Sequence, residues 1–185
     1  MKIIDTALPE VKIIALTMHR DDRGFFCERF RVDSWRALGL GGDLVQQNHS
    51  RSLPNVLRGL HFQHSPWQGK LVGVTRGCIL DVAVDIRPYS PTYKQSVAVA
   101  LSDENAQMLW VPGGFAHGFC VLGNESADVV YYVSEYYDAA REMGLHYADA
   151  SIAIDWPLAS PRVSARDAAL PLLSEIEPSL QKVMS

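Results

Sequence analysis

The stretch Leu80-Asp81-Val82-Ala83-Val84-Asp85-Ile86-Arg87 alternates with a period of two. Leu80, Val82, Val84 and Ile86 face one way, and Asp81, Ala83, Asp85 and Arg87 the other. That is the pattern of a strand. Similar runs occupy residues 72–75, 97–101 and 129–133, separated by turn formers such as Arg76-Gly77, Pro88 and Pro91, and Pro112-Gly113-Gly114. Short strands at close spacing predict an antiparallel sandwich or barrel. Helical signals are few: residues 33–38, ended by Gly39, and a turn or two within residues 164–177, interrupted by Pro171. A parallel α/β fold is therefore disfavoured.

The 185 residues suit one domain, and a hydrophobic content of 48% can bury a substantial core. Residues 157–185 are expected as a peripheral wrap on that domain, too short to fold alone. A formal charge of −4 and a pI near 5.8 argue against nucleic acid or an anionic membrane as the main partner. Cys27, Cys78 and Cys120 are odd in number, far apart and without CxxC spacing, which fits a reducing cytoplasm and points to neither a disulfide framework nor a thiolate zinc site. No run approaches the roughly 18 apolar residues of a membrane span, and residues 1–10 lack a signal peptide's apolar core.

Two histidines sit in informative settings. His61 lies in Leu57-Arg58-Gly59-Leu60-His61-Phe62-Gln63, and His117 in a segment, residues 112–119, that matches the P-x-G-x-x-H signature of cupins. Metal-binding cupins supply a second histidine two residues after the first and a nearby carboxylate, because such ligands must converge on one ion. Here Gln63 stands at that position and the motif has no Glu. The balance moves toward a cupin without metal. A metal-dependent cupin using His61 and His117 stays open as an alternative, as does a non-catalytic sugar-binding barrel. Around His61 lie Arg58, Gln63, Gln68 and Lys70, a polar set among strand formers that needs partners or a ligand to offset desolvation.

From near the N-terminus almost to the end, the chain resembles the dTDP-4-dehydrorhamnose 3,5-epimerases. The marks appear in order: Asp22-Arg23-Gly24-Phe25-Phe26-Cys27-Glu28, Gln46-Gln47-Asn48-His49-Ser50, the His61 motif, Gln68-Gly69-Lys70-Leu71-Val72, the segment at 80–87 with Ser90-Pro91-Thr92, residues 112–119, Ile154-Asp155-Trp156-Pro157 and Ser164-Ala165-Arg166-Asp167. The resemblance implies a cupin-type double-stranded β-helix, an all-β jelly-roll barrel with short peripheral helices. It also implies a cofactor-independent isomerase that inverts C3 and C5 of dTDP-4-keto-6-deoxy-D-glucose, giving dTDP-4-keto-L-rhamnose for deoxysugar and cell-surface polysaccharide synthesis. A relative that inverts a single carbon would keep the same groups.

The implied catalytic set is His61 as base, oriented by Asp167, Tyr131 as acid on the opposite face, and Lys70 stabilising the enolate oxygen. An imidazole titrates near neutral pH, and a fixed cation in a water-poor pocket suits a developing oxyanion. The implied substrate contacts are Phe26, Gln46, Asn48, Arg58, Glu142 and Arg166, with Arg23 and Glu28 lent by the neighbour in a homodimer. Without the resemblance, Arg23 and Glu28 would read as an exposed ion pair beside a turn. His117 reads two ways, as a structural residue or as a substrate contact. Alternation puts Tyr131 with Val129 and Val133, and Tyr132 on the other face, so one tyrosine alone is expected inside. Arg58 and His61, three apart, should face opposite sides of a regular strand, so a bulge is expected near Gly59. This chain departs from the usual pattern at Gln47, Tyr132, Arg166 and residues 144–149, which leaves the nucleotide and exact sugar open.

Overall fold

The structure is a computed structural model that describes residues 1–184. Ser185, the last residue of the expected wrap, lies outside the described residues. The chain opens with β1 (Lys2–Asp5), β2 (Lys12–Ala15), β3 (Met18–Asp21), β4 (Gly24–Cys27) and the helix α1 (Val32–Leu38). Then come β5 (Gln46–Ser52), β6 (Leu57–Gln63), β7 (Lys70–Arg76), β8 (Cys78–Asp85), β9 (Ser96–Ser102) and β10 (Gln107–Val111). β11 (Phe115–Leu122), β12 (Ala127–Val133), β13 (Glu142–Gly144), α2 (Ala165–Ala168) and α3 (Leu173–Met184) complete it.

Two antiparallel sheets form the barrel. The six-stranded sheet has the order β1-β2-β10-β7-β12-β5 and the five-stranded sheet β13-β6-β11-β8-β9, while β3 and β4 pair as a hairpin apart from both. Neighbours that are far apart in sequence make this the jelly roll of the cupins. Val72, Val74, Ile79, Ala83, Phe115, Val121 and Val129 fill the space between the sheets. On the outer side of the six-stranded sheet, Trp35 of α1 meets Trp110 edge-on, with ring centroids 4.9 Å apart.

The alternation at residues 80–87 predicted a strand, and β8 is one, but its all-apolar face is not the barrel interior. Val82, Val84 and Ile86 point outward beneath the C-terminal segment, packed with Leu173, Ile176 and Leu180 of α3. Each of these three helix residues gains roughly 1.5–3 kcal/mol by full burial. That gain carries α3 through Pro178 to Met184, beyond the expected turn or two. The interior face of β8 carries Ile79, Asp81 and Ala83, with Asp81 fully buried. The strand ends at Asp85 rather than Arg87. The Asp85 carboxylate accepts hydrogen bonds from Arg87 Nε (2.9 Å), Arg87 Nη2 (2.8 Å), Ser90 Oγ (2.6 Å) and Thr92 Oγ1 (2.6 Å), which folds the following turn around it.

The irregularity expected at Gly59 is present. His61 pairs with His117 and Arg58 with Phe119, so Gly59 and Leu60 together face the single residue Gly118. Gly59 has φ +107, and a Cβ there would meet Gly118 Cα and His117 O at 2.7 Å. Only glycine fits. The extra residue lets Arg58 and His61 open onto the same space.

Candidate active site

One cavity, of about 520 Å³, opens between the sheets at this bulge, a size that suits a substrate-sized ligand. Its walls come from different elements. β6 and β11 of the five-stranded sheet supply Arg58, His61 and His117, and β5, β7 and β12 of the six-stranded sheet supply Asn48, Lys70 and Tyr131. His61 and Tyr131 therefore stand on opposite walls. Glu142 of β13, with Arg166 and Asp167 of α2, closes the mouth.

Asp167 is 4% exposed and joins two elements distant in sequence. Its Oδ1 lies 2.8 Å from His61 Nε2, and its Oδ2 accepts a hydrogen bond from the Gly59 backbone N–H at 3.3 Å. Ser164 caps α2 by accepting from the Asp167 N–H at 3.0 Å, which sets the carboxylate's direction. An ionised carboxylate only accepts, so Nε2 carries the proton and Nδ1 keeps the lone pair. Burial lowers the His61 pKa from its ordinary value; Asp167 opposes that fall, Lys70 adds to it, and Glu142 opposes it. The ring is thus mostly neutral near pH 7, the form a base requires.

Lys70 heads β7, on the same face as Val72, and its Nζ donates to the His61 backbone carbonyl at 3.2 Å. Burial pushes its pKa down to about 8, against the pull of Glu142 and Asp81. Tyr131 packs with the inter-sheet core, whereas Tyr132 points outward and stacks on Phe30 at 4.7 Å. Burial raises the Tyr131 pKa, with the Asn48 side chain opposing it. His117 belongs to a second buried pair, its Nε2 lying 2.7 Å from Asp81 Oδ1, while Asp81 Oδ2 has no hydrogen-bond partner among the described residues. His117 thus has a structural partner and a face on the cavity.

At the mouth, Arg166 Nη2 donates to Glu142 Oε2 at 2.6 Å, and the Tyr137 phenol donates to the same oxygen at 3.0 Å. Gln46 stands one step back, donating to Asn48 Oδ1 at 2.9 Å. Arg58 Nε donates to Ser52 Oγ at 2.9 Å. Arg23, Phe26 and Glu28 are not brought into this cavity. Arg23 and Phe26 sit on or beside the β3–β4 hairpin, where Arg23 pairs with Asp21 at 2.6 Å and Phe26 is 70% exposed. Glu28 faces Arg31 at 3.7 Å.

Among the polar residues of the cavity wall, sequence reasoning placed Gln68 near His61 without giving it a role, and it did not single out Ser50, Tyr137 or Arg162. Ser50 had a signal, because Gln46, Asn48, Ser50 and Ser52 all lie on the less exposed face of β5 and form a polar track. Asp81 had one too, as a carboxylate in the middle of a largely apolar strand. Tyr137 and Arg162 had none, since neither lies in a periodic segment. For a metal, the donor set is poor: each Nε2 of His61 and His117 is engaged by its own carboxylate, Gln63 turns away to a loop backbone, and no group of three or more His, Cys, Asp or Glu among the described residues could hold an ion.

Fold and cavity together define a class: cupin-type jelly rolls that face an imidazole–carboxylate pair with a phenol, beside a buried ammonium. The family described as dTDP-4-dehydrorhamnose 3,5-epimerase matches residues 5–175, and the chain belongs to it. A relative from Shigella flexneri of that name is 47% identical over 169 residues, 90% of this chain and 93% of its own length. Another, from Neisseria gonorrhoeae, is 48% identical over 91% of this chain, which spans about half (52%) of that relative's length. The crystal structure of the Legionella pneumophila dTDP-6-deoxy-D-glucose-3,5-epimerase in complex with dTDP-4-keto-L-rhamnose superposes with a TM-score of 0.93 at 48% identity, covering 97% of this chain and 96% of that one.

The carboxylate's hold on the imidazole can be tested without substrate. Asp167→Asn removes the charge that favours imidazolium, so the His61 pKa should fall further below its wild-type value in an NMR titration of the ring. A pKa that stays put or rises would mean that Asp167 does not act on His61.

Proposed function

We propose that this chain inverts C3 and C5 of dTDP-4-keto-6-deoxy-D-glucose, giving dTDP-4-keto-L-rhamnose, by proton removal and return through an enolate. The observation that carries the reading is the placement of His61–Asp167 and Tyr131 on opposite walls of one cavity, with Lys70 on the wall of Tyr131 and its Nζ reaching the His61 carbonyl. The C4 ketone acidifies the protons at C3 and C5. His61 Nδ1 takes one of them, the C–H electron pair moves into the new C–C double bond, and the carbonyl oxygen becomes an enolate. Lys70, held charged below about pH 8, offsets that negative charge. Tyr131 then gives its phenolic proton to the other face of the carbon, and solvent exchange resets both groups.

Arg58 and Arg162 line the same cavity, and two guanidinium forks suit the oxygens of a diphosphate. The bare β3–β4 hairpin supports a homodimer. Phe25 and Phe26 are 54% and 70% exposed. Such aromatic surface on a projecting hairpin fits insertion into a second copy, where Arg23, Phe26 and Glu28 would complete the partner's nucleotide site. The chain works in this reading as one domain, with residues 157–185 as a wrap that delivers Arg166 and Asp167. Three free cysteines, Cys27, Cys78 and Cys120, fit the cytoplasm as its place of work.

Incubation with dTDP-4-keto-6-deoxyglucose in heavy water should place two deuterons on carbon, at C3 and C5, as counted by mass spectrometry. One deuteron would make the enzyme a single-carbon epimerase, and none would sink the epimerase reading for this substrate. For the shared site, His61→Ala and Arg23→Ala should each lower turnover by about 10²–10⁴-fold, and mixing the two under conditions that exchange subunits should restore activity, because half the pockets of a mixed dimer are intact. No recovery in subunits shown to have exchanged would refute the loan.

A further inference from the structure

Residues 134–141 run from β12 to β13 across the mouth of the cavity, and little apolar packing holds them there. Tyr136 and Tyr137, at the crest of this strap, are 72% and 52% exposed. Its backbone is instead gripped by side-chain amides. Gln63 holds both sides of Tyr137 at once: its Nε2 donates to the Tyr136 carbonyl at 3.0 Å and its Oε1 accepts from the Asp138 N–H at 2.9 Å. Gln68 Nε2 donates to the Glu135 carbonyl at 2.8 Å, and Gln46 Oε1 accepts from the Tyr137 N–H at 3.1 Å. Gln63 and Gln68 are 3% and 8% exposed, so their amides are committed to the strap and have little access to water.

Gln63 lies two residues after His61 on β6, the position that a metal-binding cupin gives to its second histidine. We propose that Gln63 is a positioning residue for the epimerisation, clamping the strap so that Tyr137, tied to Glu142, forms a fixed wall of the substrate cavity. The proposal rests on the function given above. An exposed loop with so few apolar contacts would otherwise open readily, and Tyr137 would leave the cavity with it. A neutral amide suits this task, since it donates and accepts within one planar group and matches the carbonyl and N–H on either side of the tyrosine.

Two measurements test this, one of them independent of substrate. In Gln63→Met, which keeps the bulk and loses both hydrogen bonds, chymotrypsin should cut after Tyr136 or Tyr137 about tenfold faster than in the wild type, while the cut rate elsewhere stays unchanged. The same variant should lose about 10–100-fold in kcat/KM through misplacement of the wall. Tyr137→Ala should then cost much less in the Gln63→Met background than in the wild type, because residues acting as a unit are not additive. Gln63→Glu keeps the acceptor but sets a second acceptor oxygen against the Tyr136 carbonyl, so it should loosen the strap at least as much, and it carries the same comparison if the methionine variant does not fold. Wild-type cleavage at the strap, or losses from Gln63 and Tyr137 that simply multiply, would overturn the proposal. A wild-type enzyme inactive on the nucleotide sugar would overturn the functional reading instead, with the cleavage result still deciding the clamp.

Discussion

Everything at the site hangs on one carboxylate with two partners. Asp167 reaches the imidazole of His61 with one oxygen and the backbone N–H of Gly59 with the other, and it does so from a segment 106 residues further along the chain. Burying a carboxylate is costly unless it is hydrogen-bonded on both oxygens, so its position is tightly constrained. The burial of Leu173, Ile176 and Leu180 against the back of β8 holds the tail down, the Ser164 cap aims α2, and the Gly59 bulge presents the N–H and the imidazole together. Loss of any of these three supports would loosen the hold of Asp167 on His61.

The barrel contributes geometry that no single element could. A jelly roll stacks two sheets, and this one places the imidazole on one wall and the phenol on the other; in the proposed mechanism a planar enolate between them would have a proton acceptor on one face and a donor on its opposite face. The cations Lys70, Arg58 and Arg162 have no ion-pair partner among the described residues, whereas Arg166 is already matched by Glu142. Counting Asp167, which faces a mostly neutral imidazole, the lining still carries four cations to two carboxylates, a field that suits an anionic ligand.

The strand pattern was legible where one face differs sharply from the other. Residues 80–85 and 129–133 read correctly as strands, with 86–87 falling in the turn beyond, and alternation put Tyr131 and Tyr132 on opposite faces while the resemblance chose Tyr131 as the inner one. The contradiction between Arg58 and His61 even located the bulge, because a period of two is rigid enough that a violation must have a cause. What could not be read was the side on which the core lies. β8 is buried on both faces, so its apolar face could as well have pointed inward; the tail that covers it is nearly a hundred residues away. The His117–Asp81 pair and the grip of Gln63 on the strap were hidden for the same reason, since they join residues whose proximity is created by the fold. Tyr137 and Arg162 lie in irregular segments, where neither periodicity nor composition marks a side chain that faces a cavity.

The opposed base and acid are the centre of this account, and Tyr131→Phe separates them most directly. In heavy water, with the substrate present, its rate of deuterium entry at C3 and C5 should be compared with its rate of net inversion. With the base intact and the acid gone, exchange should persist while inversion falls by about 10²-fold or more, because protons return from the His61 side. Exchange and inversion that remain coupled at the wild-type ratio would contradict the assignment of Tyr131 to the opposite face.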